Sequence, residues 1–239
     1  MKIKNATVLI TGANRGLGLA FAKEALARGA TKVYAGARNP ASVTLPGVVP
    51  VTLDVTKPDE IVSAARALTD VTILINNAGI AVTGGFLTDA SVSSAAAHFD
   101  TNFFGPLRTI QAFAPILAAN GGGAIVNVLS VASWINGPLL GVYGASKSAA
   151  WALTNGVRIE LIPQKTQVLG LHVGFIDTDL TANLDVPKLR ADDVVRTTLD
   201  ALEAGASEVL ADPFTQQVHK GLSAEPAIYL EPVARPVLS

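Results

Sequence analysis

Short apolar runs of strand character alternate with helix-length segments along almost the whole chain, and this alternation restricts the fold more than any other feature. Thr7-Val8-Leu9-Ile10 is a β-branched run stopped by Thr11-Gly12, and an Ala- and Leu-rich segment from Leu17 to Arg28 follows, with Gly29 placed to cap a helix. Lys32-Val33-Tyr34-Ala35 and Val48 to Leu53 read as the second and third strands. Lys57-Pro58 opens a helix through Leu68, since proline is tolerated at the first helical position. Val71 to Ile75 is the fourth strand, and two long helices cover Ser91 to Phe99 and Phe103 to Asn120. After Gly121-Gly122-Gly123 come a fifth strand (Ala124 to Leu129), a long helix (Val142 to Ile162, stopped at Pro163) and a sixth strand (Val168 to Val173). Ala191 to Ala204 is helical, Glu208-Val209-Leu210 is a last short strand, and the tail after Pro213, with Pro226, Pro232 and Pro236, reads as irregular. Runs that are apolar throughout suit parallel strands buried on both faces. The expectation is an α/β protein, a parallel sheet with helices on both faces.

Composition removes several classes of function. With 49% hydrophobic residues the chain can bury a core without staples, and the lack of Cys excludes a disulfide framework, a thiolate metal site and a Cys nucleophile. A net charge of −1 leaves no global basic footprint for nucleic acid or an acidic membrane surface. No apolar run approaches the ~18 residues of a membrane span, and Met1-Lys2-Ile3-Lys4-Asn5 leads into the first strand without a signal-peptide layout. The expectation is a cytoplasmic protein with no nucleic-acid or membrane partner. His98, His172 and His219 form no i, i+4 pair and no carboxylate–histidine spacing suggests a metal site; His172 reads as a core histidine. Phe99, Phe103, Phe104 and Phe113 follow helical spacing and read as core or subunit contacts.

Two local patterns carry chemistry. Thr11-Gly12-Ala13-Asn14-Arg15-Gly16-Leu17-Gly18 joins the first strand to the first helix. Glycines there allow a tight turn and close approach of a pyrophosphate to the backbone, and the helix N-terminus offers N–H groups and a positive dipole end. The plain alternative is a tight turn without a ligand. Tyr143 and Lys147 lie four apart at the start of a helical stretch and project from one face. An ammonium that close is expected to lower the tyrosine pKa and fit the phenol for acid/base work. A surface Tyr–Lys pair is the plain alternative, and Ser130 weighs against it. It ends the fifth strand, thirteen residues before Tyr143, at the sheet edge where doubly wound folds bind ligands.

Together these residues resemble the short-chain dehydrogenase/reductase family from about Thr7 to Ala211. Thr11-Gly12-x-x-x-Gly16-x-Gly18 matches its cofactor loop, Asn76-Asn77-Ala78-Gly79 its motif after strand four, and Asn102, Ser130, Tyr143 and Lys147 its catalytic tetrad. The family usually has Pro-Gly after strand six, where this chain has Val173-Gly174. The resemblance implies a doubly wound Rossmann-type fold, a single domain over residues 1–239 with about seven parallel strands. It implies that Tyr143 exchanges the proton with the substrate oxygen, Ser130 hydrogen-bonds that oxygen, Lys147 binds the nicotinamide ribose, and Asn102 holds a relay water. For Asn102 a helix-start cap within Asp100-Thr101-Asn102 is the alternative. The cofactor is assigned to Gly12, Asn14, Arg15, Gly16, Leu17 and Gly18 of the loop, and to Arg38, Asp54 and Val55 beyond strands two and three. Asn77, Ala78 and Gly79, Tyr143 and Lys147, and Gly174, Ile176 and Thr178 complete that assignment.

The family's NAD-type aspartate aligns with Ala37, followed by Arg38, while Arg15 lies in the glycine loop; two guanidiniums there suit a 2′-phosphate, so NADP(H) is expected. By family geometry the substrate pocket is lined by Ile80 to Thr83, Ser133-Trp134, Pro138 to Leu140 and Asp179 to Leu189, with a short lid from Leu180 to Pro187. Asp177 and Asp179 read as solvated loop carboxylates first and substrate contacts second. The expected activity is reversible reduction of small to medium apolar ketones or aldehydes to alcohols. A 3-oxoacyl thioester reductase, using Lys188 and Arg190 as a basic patch, is one alternative, and a non-catalytic NADP-sensing protein is another. A homo-oligomer is expected, a tetramer before a dimer, through the helices on either side of strand five.

Overall fold

The structure, a computed structural model, describes residues 1–181 and 185–230. Its sheet has seven strands: β1 (Thr7–Thr11), β2 (Lys32–Ala37), β3 (Val49–Thr52), β4 (Ile73–Asn76), β5 (Gly123–Val128), β6 (Thr166–His172) and β7 (Glu208–Leu210). All pair in parallel in the order β3-β2-β1-β4-β5-β6-β7. The chain steps outward from β1 to β3 and then returns to place β4 beside β1, so the order reverses between β1 and β4. At such a switch point the connections leave in opposite directions and open a crevice at the carboxyl ends of the strands.

Among the described residues seven α-helices accompany the sheet: α1 (Gly16–Ala27), α2 (Pro58–Ala67), α3 (Ser91–Phe99), α4 (Gly105–Ala119), α5 (Gly141–Glu160), α6 (Ala191–Glu203) and α7 (Pro213–Gly221). Alternate residues of each central strand feed opposite cores. Val8, Ile10, Ile73, Ile75, Ala124 and Val126 pack with Phe21 of α1 and Leu199 of α6. Leu9, Leu74 and Ile125 pack with Ile61 of α2, Phe113 and Leu117 of α4 and Val157 of α5. This period of two, buried on both sides, is the pattern the apolar strand runs predict.

Two segments differ from the sequence expectation. The two long helices near residue 100 are one continuous run, because a π-helical turn over Asp100–Phe104 bridges α3 and α4. Asp100, Thr101 and Asn102 are cap-forming residue types, but the Asp100 carboxylate pairs with Arg108 at 2.7 Å and Asn102 is buried. The wider turn inserts an extra residue and aims side chains inward instead of ending the helix. The tail after Pro213 is not irregular throughout, since α7 occupies Pro213–Gly221. Asp212 caps it: Oδ1 accepts from Thr215 N–H at 2.8 Å and Oδ2 from the Thr215 hydroxyl at 2.6 Å, with Pro213 in the first turn. Pro226 lies in a bend beyond α7, whereas Pro232 and Pro236 lie outside the described residues.

Candidate active site

The β1–α1 loop meets the physical requirements of an anion cradle. Gly12 and Gly16 take positive φ (66° and 53°), which side chains resist. A Cβ at Gly18 would stand 2.1 Å from the Gly12 carbonyl oxygen, so α1 starts close under the loop only because that residue has no side chain. Arg15, at the cap position of α1, gives no side-chain cap, and the first turn holds no acid. The first N–H groups of α1 therefore remain for a ligand, at the positive end of the helix dipole. Across the switch point, Asn77 Nδ2 donates to the carbonyls of Thr11 (2.9 Å) and Gly12 (3.1 Å), and Thr11 Oγ1 accepts from Asn77 and Ala78 N–H, each at 3.0 Å. These bonds hold the loop in place, and the free N–H groups at the start of α1 fit the pyrophosphate of a dinucleotide.

A cleft of about 1100 Å³ runs from this loop over the carboxyl ends of the strands. Sixteen of the seventeen residues assigned to the cofactor line it: Gly12, Asn14, Arg15, Gly16, Leu17, Arg38, Asp54, Val55, Asn77, Ala78, Gly79, Tyr143, Lys147, Gly174, Ile176 and Thr178. Gly18 lies beneath the loop, where it serves close packing. Asn39, Ser42 and Thr56 also line the cleft and were not anticipated; their only sequence signal is adjacency to Arg38 and Asp54. Asp54 Oδ1 accepts from the backbone N–H (2.9 Å) and hydroxyl (2.7 Å) of Thr56, which fixes the turn after β3. Arg15 pairs with Asp179 at 3.0 Å, both side chains about two-thirds exposed (65% and 71%), so this contact adds little stability. Val173, in the place of the family proline, is buried and its carbonyl accepts from Val131 N–H at 3.0 Å. Gly174 N–H donates to Asp212 Oδ2 at 2.9 Å, so the cap of α7 also fixes the turn after β6.

Ser130, Tyr143 and Lys147 meet on the same cleft. Ser130 follows β5, and its Oγ accepts from Ala132 N–H at 3.1 Å in the turn Val131–Ser133. Tyr143 lies in the first turn of α5, and Lys147 Nζ stands 5.8 Å from its ring centroid while donating to Val128 O at 2.9 Å. The expected lowering of the Tyr143 pKa is reversed here. Burial raises it, and a hydrogen bond from Ser130 opposes. Burial also lowers Lys147 to about 8, because the ammonium has left water without a carboxylate partner. The phenol thus keeps its proton at neutral pH, the state a proton donor needs.

Asn102 sits behind the cleft and is not a helix cap. Its Oδ1 accepts from Ile80 N–H (2.9 Å), and its Nδ2 donates to Ile80 O (2.9 Å) and Ser146 Oγ (3.0 Å). A Cβ on Gly79 would stand 3.3 Å from Asn102 Oδ1 and 3.8 Å from Lys147 Nζ, so this glycine keeps open the space between them.

The substrate side of the cleft is lined by Ile80, Ala81, Val82, Thr83, Val131, Ala132, Leu140 and Thr181. Of the described residues expected there, Ser133, Trp134, Pro138, Leu139 and Asp185 to Leu189 do not line it. The Trp134 ring turns the other way and stacks on the buried His172 (centroids 3.9 Å, interplanar 17°). Asp179 does line the cleft, and residues 182–184 of the expected lid lie outside the described residues.

Comparison with known proteins agrees with this geometry. Residues 6–188 match the family model described as short chain dehydrogenase. The chain is 38% identical over 189 residues to a short-chain dehydrogenase, ptmH, of Penicillium ochrochloron, covering 74% of this chain and 68% of that protein. A crystal structure of a short chain dehydrogenase from Burkholderia cenocepacia in complex with NADP aligns with a TM-score of 0.93 at 38% identity, over 99% of this chain and 100% of that one. A short chain dehydrogenase/reductase from Burkholderia phymatum in complex with NAD shares the fold, with a TM-score of 0.86 at 23% identity and 99% coverage of each chain.

Proposed function

The chain belongs to the short-chain dehydrogenase/reductase family, and from that premise we propose that it is an NADP(H)-dependent reductase of small to medium apolar ketones or aldehydes, with both sites in one domain. The observation that carries this reading is the meeting of Ser130, Tyr143 and Lys147 with the glycine loop on one cleft whose other wall is aliphatic. When bound, the reduced nicotinamide supplies a hydride. Tyr143 gives its hydroxyl proton to the carbonyl oxygen, and Ser130 donates a hydrogen bond to the same oxygen as charge develops on it. Lys147 holds the nicotinamide ribose and faces the phenolate that forms. Asn102 holds a relay water in the space that Gly79 leaves open towards Lys147. A panel of medium-chain methyl ketones, aromatic aldehydes and 3-oxoacyl thioesters, followed by nicotinamide absorbance, tests the reading. A preference for the thioesters would replace it with the first alternative. Tight NADPH binding with no turnover of any member would replace it with a sensor. Arg190 already faces Asp192 and Asp193 at 4.0 and 3.8 Å, which weakens the basic patch that an acyl carrier would need.

The NADP preference rests on Ala37, buried at the end of β2 where an NAD site has a carboxylate, and on Arg38 exposed beside it at the cleft. Arg15 adds a second guanidinium once a phosphate takes it from Asp179. One charge-assisted contact gives about tenfold to a hundredfold preference. NADPH is therefore expected to exceed NADH in kcat/KM by that factor, Arg38→Ala to lower NADPH use, and Ala37→Asp to move preference towards NADH. An NADH preference, or an Arg38→Ala variant that uses NADPH normally, would reject the phosphate site. The similar Burkholderia cenocepacia protein solved with NADP supports it.

A homo-oligomer, tetramer before dimer, belongs to the same reading, with α4 and α5 as the contact. Phe104 just before α4 and Ile159 near the end of α5 are exposed apolar side chains. Light scattering at micromolar concentration is expected to give a multiple of 24.6 kDa, and the monomer mass would count against it. We place the protein in the cytoplasm; among the described residues no helix is long and apolar enough to cross a membrane.

A further inference from the structure

The aliphatic wall of the cleft, Ile80 to Val82, is held by side chains instead of a neighbouring strand. Two residues four apart on the helical run α3–π turn do this. Asn102 binds both the N–H and the carbonyl of Ile80. His98 Nε2 accepts the N–H of Val82 at 3.0 Å. The imidazole is fully buried, and its Nδ1 lies 2.7 Å from the carbonyl oxygen of Ser94, which can only accept. Nδ1 therefore carries the hydrogen and Nε2 the lone pair. The neutral Nδ1–H tautomer satisfies both contacts, and a second proton on Nε2 would point at the Val82 N–H.

The surroundings offer that second proton nothing. From α5 the ring faces Tyr143, edge-on with centroids 6.3 Å apart, and Lys147 lies over the Tyr143 ring. On its own run it faces Ser94, while the nearby Asp100 carboxylate is engaged by Arg108. Among the described residues His98 makes no ion pair.

We propose that His98 is a positioning residue for the carbonyl substrate: through Nε2 it clasps the Val82 N–H and fixes the substrate wall beside Tyr143. The inference rests on the reductase reading for its substrate, though not for the clasp itself. Loss of the Nε2 acceptor should then weaken substrate binding and leave cofactor binding in place.

Two variants separate this from a packing role. His98→Gln reaches as far as Nε2, offers an acceptor to Val82 and cannot be protonated, whereas His98→Leu fills space and offers none. With the best ketone of the panel, His98→Gln is expected to keep the wild-type KM and His98→Leu to raise it about tenfold, with kcat changed less than KM and NADPH affinity alike in all three. A wild-type KM in His98→Leu would overturn the proposal, as would a KM raised equally in His98→Gln and His98→Leu. Should His98→Leu fail to fold, His98→Asn, too short to reach Val82, takes its place. The amide protection factor of Val82 gives a readout without turnover. It should stay near the wild-type value in His98→Gln and fall in the variant that lacks the acceptor, and equal protection in both would overturn the clasp. If the wild type reduces no member of the panel, the reductase reading fails, and this exchange measurement still decides the fate of the clasp.

Discussion

Tyr143→Phe is expected to lower the rate of carbonyl reduction by about 10²–10⁴-fold, the range supplied by a positioned general acid, with NADPH affinity unchanged. The substitution removes one oxygen and keeps the ring that packs edge-on against His98 and under Lys147. Burial keeps the phenol protonated, so the wild-type group enters the reaction as a loaded donor and the variant has nothing to replace it. Single-turnover measurement with prebound NADPH isolates the chemical step, and near-normal turnover there would falsify the assignment of Tyr143 as proton donor.

Ser130→Ala should cost about 10²-fold or more in kcat if its hydroxyl acts as an oxyanion donor. The hydroxyl also accepts the Ala132 N–H, so the variant leaves that turn without its cap. Thermal unfolding of the same variant separates the two effects: a lost cap lowers Tm, whereas a lost donor lowers kcat at temperatures where the protein stays folded. Ser133, three residues on, is the internal control. It does not line the cleft, so Ser133→Ala should retain its rate. Equal losses at both positions would remove the special role of Ser130.

The central strands were legible because β1, β4 and β5 are mainly apolar runs between breakers, as strands buried on both faces are, whereas β3 at the sheet edge is largely exposed and showed only its β-branched residues. β7 begins and ends where its three residues suggest, and the other strands shift by two residues at most. The cofactor loop was legible because Gly12 and Gly16 take positive φ, which side chains resist, and Gly18 has no room for a Cβ. Ser130, Tyr143 and Lys147 were legible from spacing, since a strand end and a helix start leave few ways to arrange thirteen residues.

What escaped depended on tertiary contacts. Asp100 and Asn102 look like helix-starting residues until Arg108, Ile80 and Ser146 engage them. Trp134 sits beside Ser130 in sequence, but the direction of its ring is decided by His172, at the end of a neighbouring strand. Four-residue spacing placed Lys147 near Tyr143 correctly. It said nothing of how far Lys147, buried, and Tyr143, half-buried, are withdrawn from water, and that withdrawal sets the direction of both shifts. His98 is silent in the sequence because its partners are backbone atoms. By contrast, the start of α7 was written in the sequence, as Asp212-Pro213 followed by Thr215, a capping pattern that a proline-rich tail conceals.

The close packing at Gly18 has a bearing on how such a chain can change over generations. The space a side chain would need there is filled by the Gly12 carbonyl and, 2.6 Å away, by Asn77 Nδ2, which itself binds the Thr11 and Gly12 carbonyls. Positions 12, 18 and 77 therefore share one small volume, although 65 residues separate the first from the last. A larger residue at 18 cannot be accommodated by changing a neighbouring side chain, because one of the obstacles is main chain. A single substitution at 18 therefore has to displace main chain before any neighbour can compensate. Descendants of the chain can vary the aliphatic wall one residue at a time and acquire new substrates, but they inherit the cofactor turn as a block.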